Sequence, residues 1–447
     1  MILSSDFAFK NLVKCQNLSF SRNSAIMDDL QELNIIMVAP RGIGKTSLLA
    51  AMHEEFNKTF ESAGLTTWTT DTQTLDAIEE CKRLLRHMDY RLQNLVDPTS
   101  PKLNPWEDQG FVFEVGSGGK KFMRVRFTDP SGEYFKPTAT AEQKEYIRQQ
   151  LNQCDAVVIP IDVTALMEKK IGRVKSTEIG LWHESKNDPA RITKLLKDTY
   201  ANLTRPRLVI LAPLKCETYM KTDKDANDLL DHVKIGYREL LDFFKEDEQY
   251  HKLAVVVTPI QTIGHIAFSH AETIDGYTRF YYNKVPLDAP YAPKDGDQLL
   301  RYILRFLLNI FNESRQLELE RAKEDLQKLE KESGVKSDQL NSAKQRLILA
   351  EQKVNERNQL WTPFRWIADI FEDVYTPHYG AKSDFAKTES SFKDTETQKF
   401  AVQGKADATE AQIQAFNTAI SKFAVDCKQE RGFAILQGRA RWLSVPR

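Results

Sequence analysis

Continuous apolar runs, rather than alternating ones, set the rhythm of most of this chain. Ile35–Ala39, Ala156–Asp162, Leu208–Leu214 and Leu253–Val257 are short and almost wholly apolar, the pattern of strands buried on both faces. Leu65–Thr69 also reads as a strand. Phe111–Val115 and Phe122–Phe127 read as a pair joined by a glycine turn over Gly116–Gly119. Helical periodicity fills the gaps. Ser47–Met52 predicts a helix, and Ile78, Cys81, Leu85, Met88, Leu92 and Leu95 share one face of a longer one that stops at Asp97-Pro98. Asp188–Leu203 predicts another, with Asp188 as cap and Pro189 in the first turn. Asp225–Phe244 and the strongly apolar Gln298–Phe311 follow, and a short helix over Met27–Leu33 leads into the first strand. Strands alternating with helices predict an α/β fold with a doubly wound, mostly parallel sheet and ligands at the strands' carboxyl ends.

Beyond residue 311 the pattern changes. Leu319, Ala322, Leu326 and Leu329, then Leu340, Ala343, Leu347, Ala350 and Val354, recur at three-four spacing among Glu, Lys, Arg and Gln, which is coiled-coil spacing. Gly334 ends one helix and Ser337 caps the next in a hairpin reading, preferred over one continuous dimerising rod. Thr362–Val374 predicts an amphipathic helix whose Asp369, Glu372 and Asp373 oppose anionic lipid, so packing against the bundle is preferred. Thr409–Gln412 is a capping box before Ile413, Phe416, Ile420, Phe423 and Cys427. The tail Arg439–Arg447 is read as a solvated basic end. The expected organisation is an N-terminal segment over 1–33, an α/β domain over 34–311 and an α-helical coiled-coil or bundle extension over 312–447.

Chemistry enters between the first strand and its helix. Pro40-Arg41-Gly42-Ile43-Gly44-Lys45-Thr46 ends in the Gly-Lys-Thr of a phosphate-binding loop. Glycine lets backbone N–H groups turn toward phosphate oxygens, and the helix N-terminus adds partial positive charge. Arg41 to Ser47, that is Arg41, Gly42, Ile43, Gly44, Lys45, Thr46 and Ser47, are therefore candidate nucleotide ligands. Lys45 would neutralise the β and γ phosphates and Thr46 would ligate Mg²⁺. The first glycine of the usual pattern is replaced by Ala39.

The charge balance changes little: 62 Lys+Arg against 63 Asp+Glu gives no global field for nucleic acid, so no direct nucleic-acid partner is expected. Cys15, Cys81, Cys154, Cys216 and Cys427 are scattered with no C-x-x-C pair, against a zinc or disulfide framework. No signal peptide is read at the N-terminus, and no run reaches the ~20 apolar residues of a membrane span. A cytoplasmic location is the expectation.

The motifs in order, APRGIGKT, FTDPSGE, LKCE and VTPIQ, resemble a P-loop GTPase over Asn34–Phe311. They are most similar to the double-GTPase-like families of bacterial conflict systems, which implies a defence setting. The resemblance implies that Asp129 of D-x-x-G holds Mg²⁺ through water and that the Gly132 N–H senses the γ-phosphate. It implies that Lys215 lies along the purine, Glu217 accepts the guanine N1–H and amino protons, and the Thr258 loop meets O6. Glu217 and Leu214 depart from the usual [NT]-K-x-D. Thr99 is the candidate to close over Mg²⁺, with Ser100 and the Thr66–Thr74 cluster as alternatives. Glu133 stands where the water-orienting glutamine usually lies, so slow turnover dependent on a partner or on self-assembly through the C-terminal helices is expected. Arg41 is a candidate charge stabiliser in cis. The competing expectations are an ATPase of the AAA or STAND kind, and a degenerate nucleotide-binding scaffold with a working coiled coil. The AAA or STAND reading wants a strand ending in Asp-Asp or Asp-Glu; Asp129 is followed by Pro and Asp162 by Val. GTP (or ATP) and Mg²⁺ are the expected cofactors.

Overall fold

The computed structural model describes residues 31–69, 72–86, 110–171, 174–176, 178–201, 203–246, 250–274, 277–331, 337–355, 414–438 and 442–444. The chain forms β1 (Gln31–Met37), α1 (Lys45–Ala63), β2 (Thr66–Trp68), α2 (Thr72–Arg86), β3 (Phe111–Ser117) and β4 (Lys120–Thr128). Then come α3 (Ala141–Gln153), β5 (Ala156–Asp162), α4 (Val163–Met167), the two-residue strands β6 (Lys170–Ile171) and β7 (Val174–Lys175), α5 (Pro189–Tyr200) and β8 (Arg207–Leu214). They are followed by α6 (Asp223–Gly236), α7 (Arg238–Phe244), β9 (Leu253–Val257), β10 (Ile266–Ile274), β11 (Tyr277–Lys284), α8 (Gln298–Lys331) and α9 (Ser337–Asn355). A helix α10 over 414–425 and strand β12 (Ala434–Gln437) complete the order.

Among the described residues, eight strands form one sheet in the order β12-β9-β8-β5-β1-β4-β3-β2. The run from β9 to β4 is parallel, and β12, β3 and β2 add antiparallel edges. The fold is the expected α/β arrangement, a mostly parallel sheet with helices on both faces. Strand alternation assigns the two faces. Leu33, Ile35 and Met37 of β1 point into a core shared with α1, α8 and α10, whereas Ile36 and Val38 point into one shared with α3, α5, α6 and α7.

Several expectations are corrected. The short helix over Met27–Leu33 does not form across Gln31–Leu33, because these residues pair with Met123–Val125 and Leu33 is buried. Asp188 gives no side-chain cap: its φ is 47°, and its carboxylate pairs with Arg191 at 2.9 Å. The helix expected over Asp225–Phe244 is two helices that break at Tyr237, and Thr222 forms a capping box with Asp225. The boundary at residue 311 falls inside α8, a single helix of 34 residues. The end of the chain also returns to the sheet. β12 pairs with β9, and α10 stacks Phe416 on Phe122 and Phe423 beside Phe60. Trp442 is buried edge-on against Phe306 with its Nε1–H donating to Glu313, so the expected solvated tail is docked at this point. α9 packs along α8, as a hairpin requires and a continuous rod forbids. The expected helix over Thr362–Val374, the capping box Thr409–Gln412, and Met88, Leu92 and Leu95 lie outside the described residues.

Candidate nucleotide-binding site

The phosphate-loop sequence leaves the sheet at the carboxyl end of β1, where Val38 N–H donates to Val158 O at 2.8 Å. Gly42 (φ 78°) and Gly44 (φ 110°) both lie in the left-handed region that side chains disfavour. Ala39 is not among the positive-φ residues and is fully buried, so the pattern's first glycine is dispensable here. Ile43 pins the loop into the core. Lys45 opens α1 and is buried, its Nζ 3.5 Å from Asp129 Oδ1 and donating at 3.5 Å to Ala39 O. Thr46 is half-buried in the first turn, while Ser47 turns to the Cys81 thiol of α2.

The second motif meets the first directly. β4 lies beside β1 in parallel and delivers Asp129, buried, to the same edge. Ser131 Oγ accepts the Glu133 N–H at 3.4 Å and starts the short turn Gly132–Phe135. Gly132 packs on the loop backbone: a Cβ there would stand 2.2 Å from Arg41 N and 2.6 Å from Arg41 Cα. Only glycine fits. Glu133 lies between Arg41 (3.7 Å) and Lys136 (2.6 Å).

The third and fourth motifs close the other side. Lys215 follows β8 in a left-handed conformation (φ 62°), an uncommon one that tertiary structure must enforce. Its Cε would be 3.8 Å from a Cβ on Gly44, and its Nζ reaches Asp162 Oδ2 at 2.7 Å. Asp162, at the end of β5, also accepts the Ala165 N–H that caps α4. Glu217 Oε1 accepts the N–H groups of Ile263 (2.7 Å) and Gly264 (2.9 Å), so this carboxylate braces the loop after β9. Glu217 Oε2 is buried without a hydrogen-bond partner among the described residues. Burial pushes the Glu217 carboxyl above its usual range, against the pull of those N–H donors. A cavity of about 230 Å³ adjoins Glu217, lined also by Lys221, Gln261 and Lys294. Thr258 is fully buried, its N–H donating to Leu211 O at 2.9 Å, and Ile260 N–H donates to Pro213 O at 2.8 Å.

Lys45, Asp129, Gly132, Glu133, Lys215 and the Glu217 loop thus share the sheet's carboxyl edge. Thr99 and Ser100 lie outside the described residues. Two residues with no reading from the motifs join the cluster: Asp162, as partner of Lys215, and Lys186, whose Nζ would be 3.6 Å from a Cβ on Gly42. Asp162 was legible as a polar end to an apolar strand. Lys186 had no sequence signal, because a folded insertion carries it to the loop.

Residues 35–241 match the family model described as Double-GTPase 2. The fold, the motif order and this match place the domain in the P-loop GTPase class. No curated protein matches. Among the solved structures that match is the S. cerevisiae Ski7 GTPase-like domain, bound to GDP and inorganic phosphate. The identity is 12%, over 52% of this chain and 43% of that one, with a TM-score of 0.21, too low to carry an argument.

Proposed function

We propose that this protein is a cytoplasmic GTP-dependent switch with slow, Mg²⁺-assisted hydrolysis. The packing of Gly132 on the backbone of Arg41 carries the reading. It joins the loop that would hold the β and γ phosphates to the turn that would sense the γ-phosphate. Thr46 and Asp129 supply hard oxygen donors beside Lys45, the donor set Mg²⁺ prefers. When bound, the ion would neutralise phosphate charge. Glu217 Oε2, a buried acceptor without a partner among the described residues, supports guanine recognition: N1–H and the amino group would supply its donors. Adenine presents an acceptor at N1 and would be repelled. Thr258 would act through its loop backbone.

Slow turnover rests on Glu133 being engaged by two cations and so poorly free to orient water. Thr99 remains the proposed residue to close over Mg²⁺. Output would run through α8. Gly296 N–H, just before this helix, donates to Glu55 of α1 at 2.9 Å, tying the phosphate-loop helix to the longest helix among the described residues. A protein partner or a second copy would read that motion, in a setting of bacterial defence. Titration with fluorescent GTP and ATP in Mg²⁺, with Lys45→Ala as control, tests the proposal. Tight GTP binding abolished by Lys45→Ala supports it; ATP preference or no binding refutes it.

A further inference from the structure

Of four cations at the phosphate loop among the described residues, three have carboxylate partners: Lys45 with Asp129, Lys215 with Asp162 and Arg41 with Glu133. The fourth, Lys186, has neither an ion pair nor a hydrogen bond to its ammonium group among the described residues. It is half-buried, and that Nζ would lie 3.6 Å from a Cβ on Gly42. A half-buried ammonium with no direct ion pair is less favourable than one that an anion completes. Burial and the nearby Lys215 charge lower its pKa, with Asp162 opposing.

The lysine is also held in place. It sits in a π-helical turn, His183–Asn187, which ends at Asp188 with φ 47°; such turns gather at functional sites. Asn187 Oδ1 accepts the Asp162 N–H at 2.8 Å, and Asn187 Nδ2 donates to Asp162 O at 3.1 Å. His183 contacts Gly236 O through Nε2 at 3.2 Å. The ammonium group lies 6.0 Å from the ring centre of Phe280, which Trp182 meets edge-on. The segment between β5 and α5 therefore presents a positioned cation to the loop.

We infer that Lys186 is a phosphate-contacting residue, supplied in cis from this insertion and completed by the polyphosphate of a bound nucleotide. The inference rests on the nucleotide reading above. Charge-assisted hydrogen bonds are the strong ones, so losing this contact should weaken triphosphate binding by about tenfold to a hundredfold. The test uses the full chain with a fluorescent GTP analogue in Mg²⁺. Lys186→Met keeps the apolar stem on Phe280 and removes the charge, while Lys186→Arg keeps the charge. The expected result is weakened binding by Lys186→Met at an unchanged or raised melting temperature, with most affinity restored in Lys186→Arg. Wild-type affinity in Lys186→Met would overturn the inference, as would equal weakening in Lys186→Arg. Should the Met variant fail to fold, wild-type affinity in Lys186→Gln overturns it and weakened affinity supports it. Absence of binding by the wild type, or binding undisturbed by Lys45→Ala, would instead sink the nucleotide reading.

Discussion

Replacing Gly132 by alanine is the sharpest single perturbation of the site. A Cβ there would meet Arg41 N at 2.2 Å, Arg41 Cα at 2.6 Å and Pro40 C at 2.7 Å. All three are backbone atoms, so no side chain can rotate aside. Ordinary contact begins near 3.5 Å, and the turn or the loop must therefore retreat by roughly 1 Å. Overpacking of this kind costs about 1–3 kcal/mol, or about fivefold to a hundredfold in an equilibrium constant. Thermal melts of the free protein and titrations with a fluorescent GTP analogue divide that loss. If the two motifs stay joined, the melting temperature falls. If they part, the melt holds and triphosphate affinity drops. An unchanged melt together with unchanged GTP affinity would show that Gly132 does not lie against the loop.

Glu217 should make base preference depend on pH. Its raised pKa means that the ionised acceptor is lost as pH falls through that value, so the preference for GTP over ATP should weaken on acidification. Glu217→Gln should show weak preference throughout, and a flat wild-type profile would remove Glu217 from the base edge. Trp442→Ala removes a fully buried indole packed on Phe306 and should destabilise by about 3–5 kcal/mol; an unshifted urea midpoint would contradict this docking. His53, lowered to about 4 by burial and by Lys82, is held neutral in the fold. Its contribution is present above the unfolded value near 6.5 and is lost as pH falls toward about 4. Glu55, raised to about 7 by burial and by Asp297 and Asp295, acts in the opposite direction and loses its contribution as pH rises through about 7. Melting temperatures across this range should show a weaker acid limb in His53→Gln than in wild type, and equal limbs would refute the assignment.

The parallel strands were legible because burial on both faces leaves continuous apolar runs, as in β5, β8 and β9, whose residues are all buried. The phosphate loop was legible because its glycines and lysine answer to local geometry. α3 escaped because only Tyr146, Ile147 and Leu151 are buried along it, although the Thr140–Gln143 capping box was a usable signal. The β10–β11 hairpin escaped despite the aromatic residues Phe268 of β10 and Phe280, Tyr281 and Tyr282 of β11. The loop that leads into it is held at Ile263 and Gly264 by Glu217, a long-range contact. Tyr237 breaks a helix where Gly236 packs against His183, and only the folded neighbour makes that glycine necessary. Lys186 reaches Gly42 by tertiary path alone.

The outer border of β9 is closed by β12, a strand made of Ala434–Gln437. Until those residues leave the ribosome, β9 presents a row of unsatisfied amides, a surface on which other chains can add. From the synthesis of β9 (Leu253–Val257) until that of β12 (Ala434–Gln437), the nascent protein therefore carries a sticky border. The covering of that border thus waits on how soon β12 can fold home.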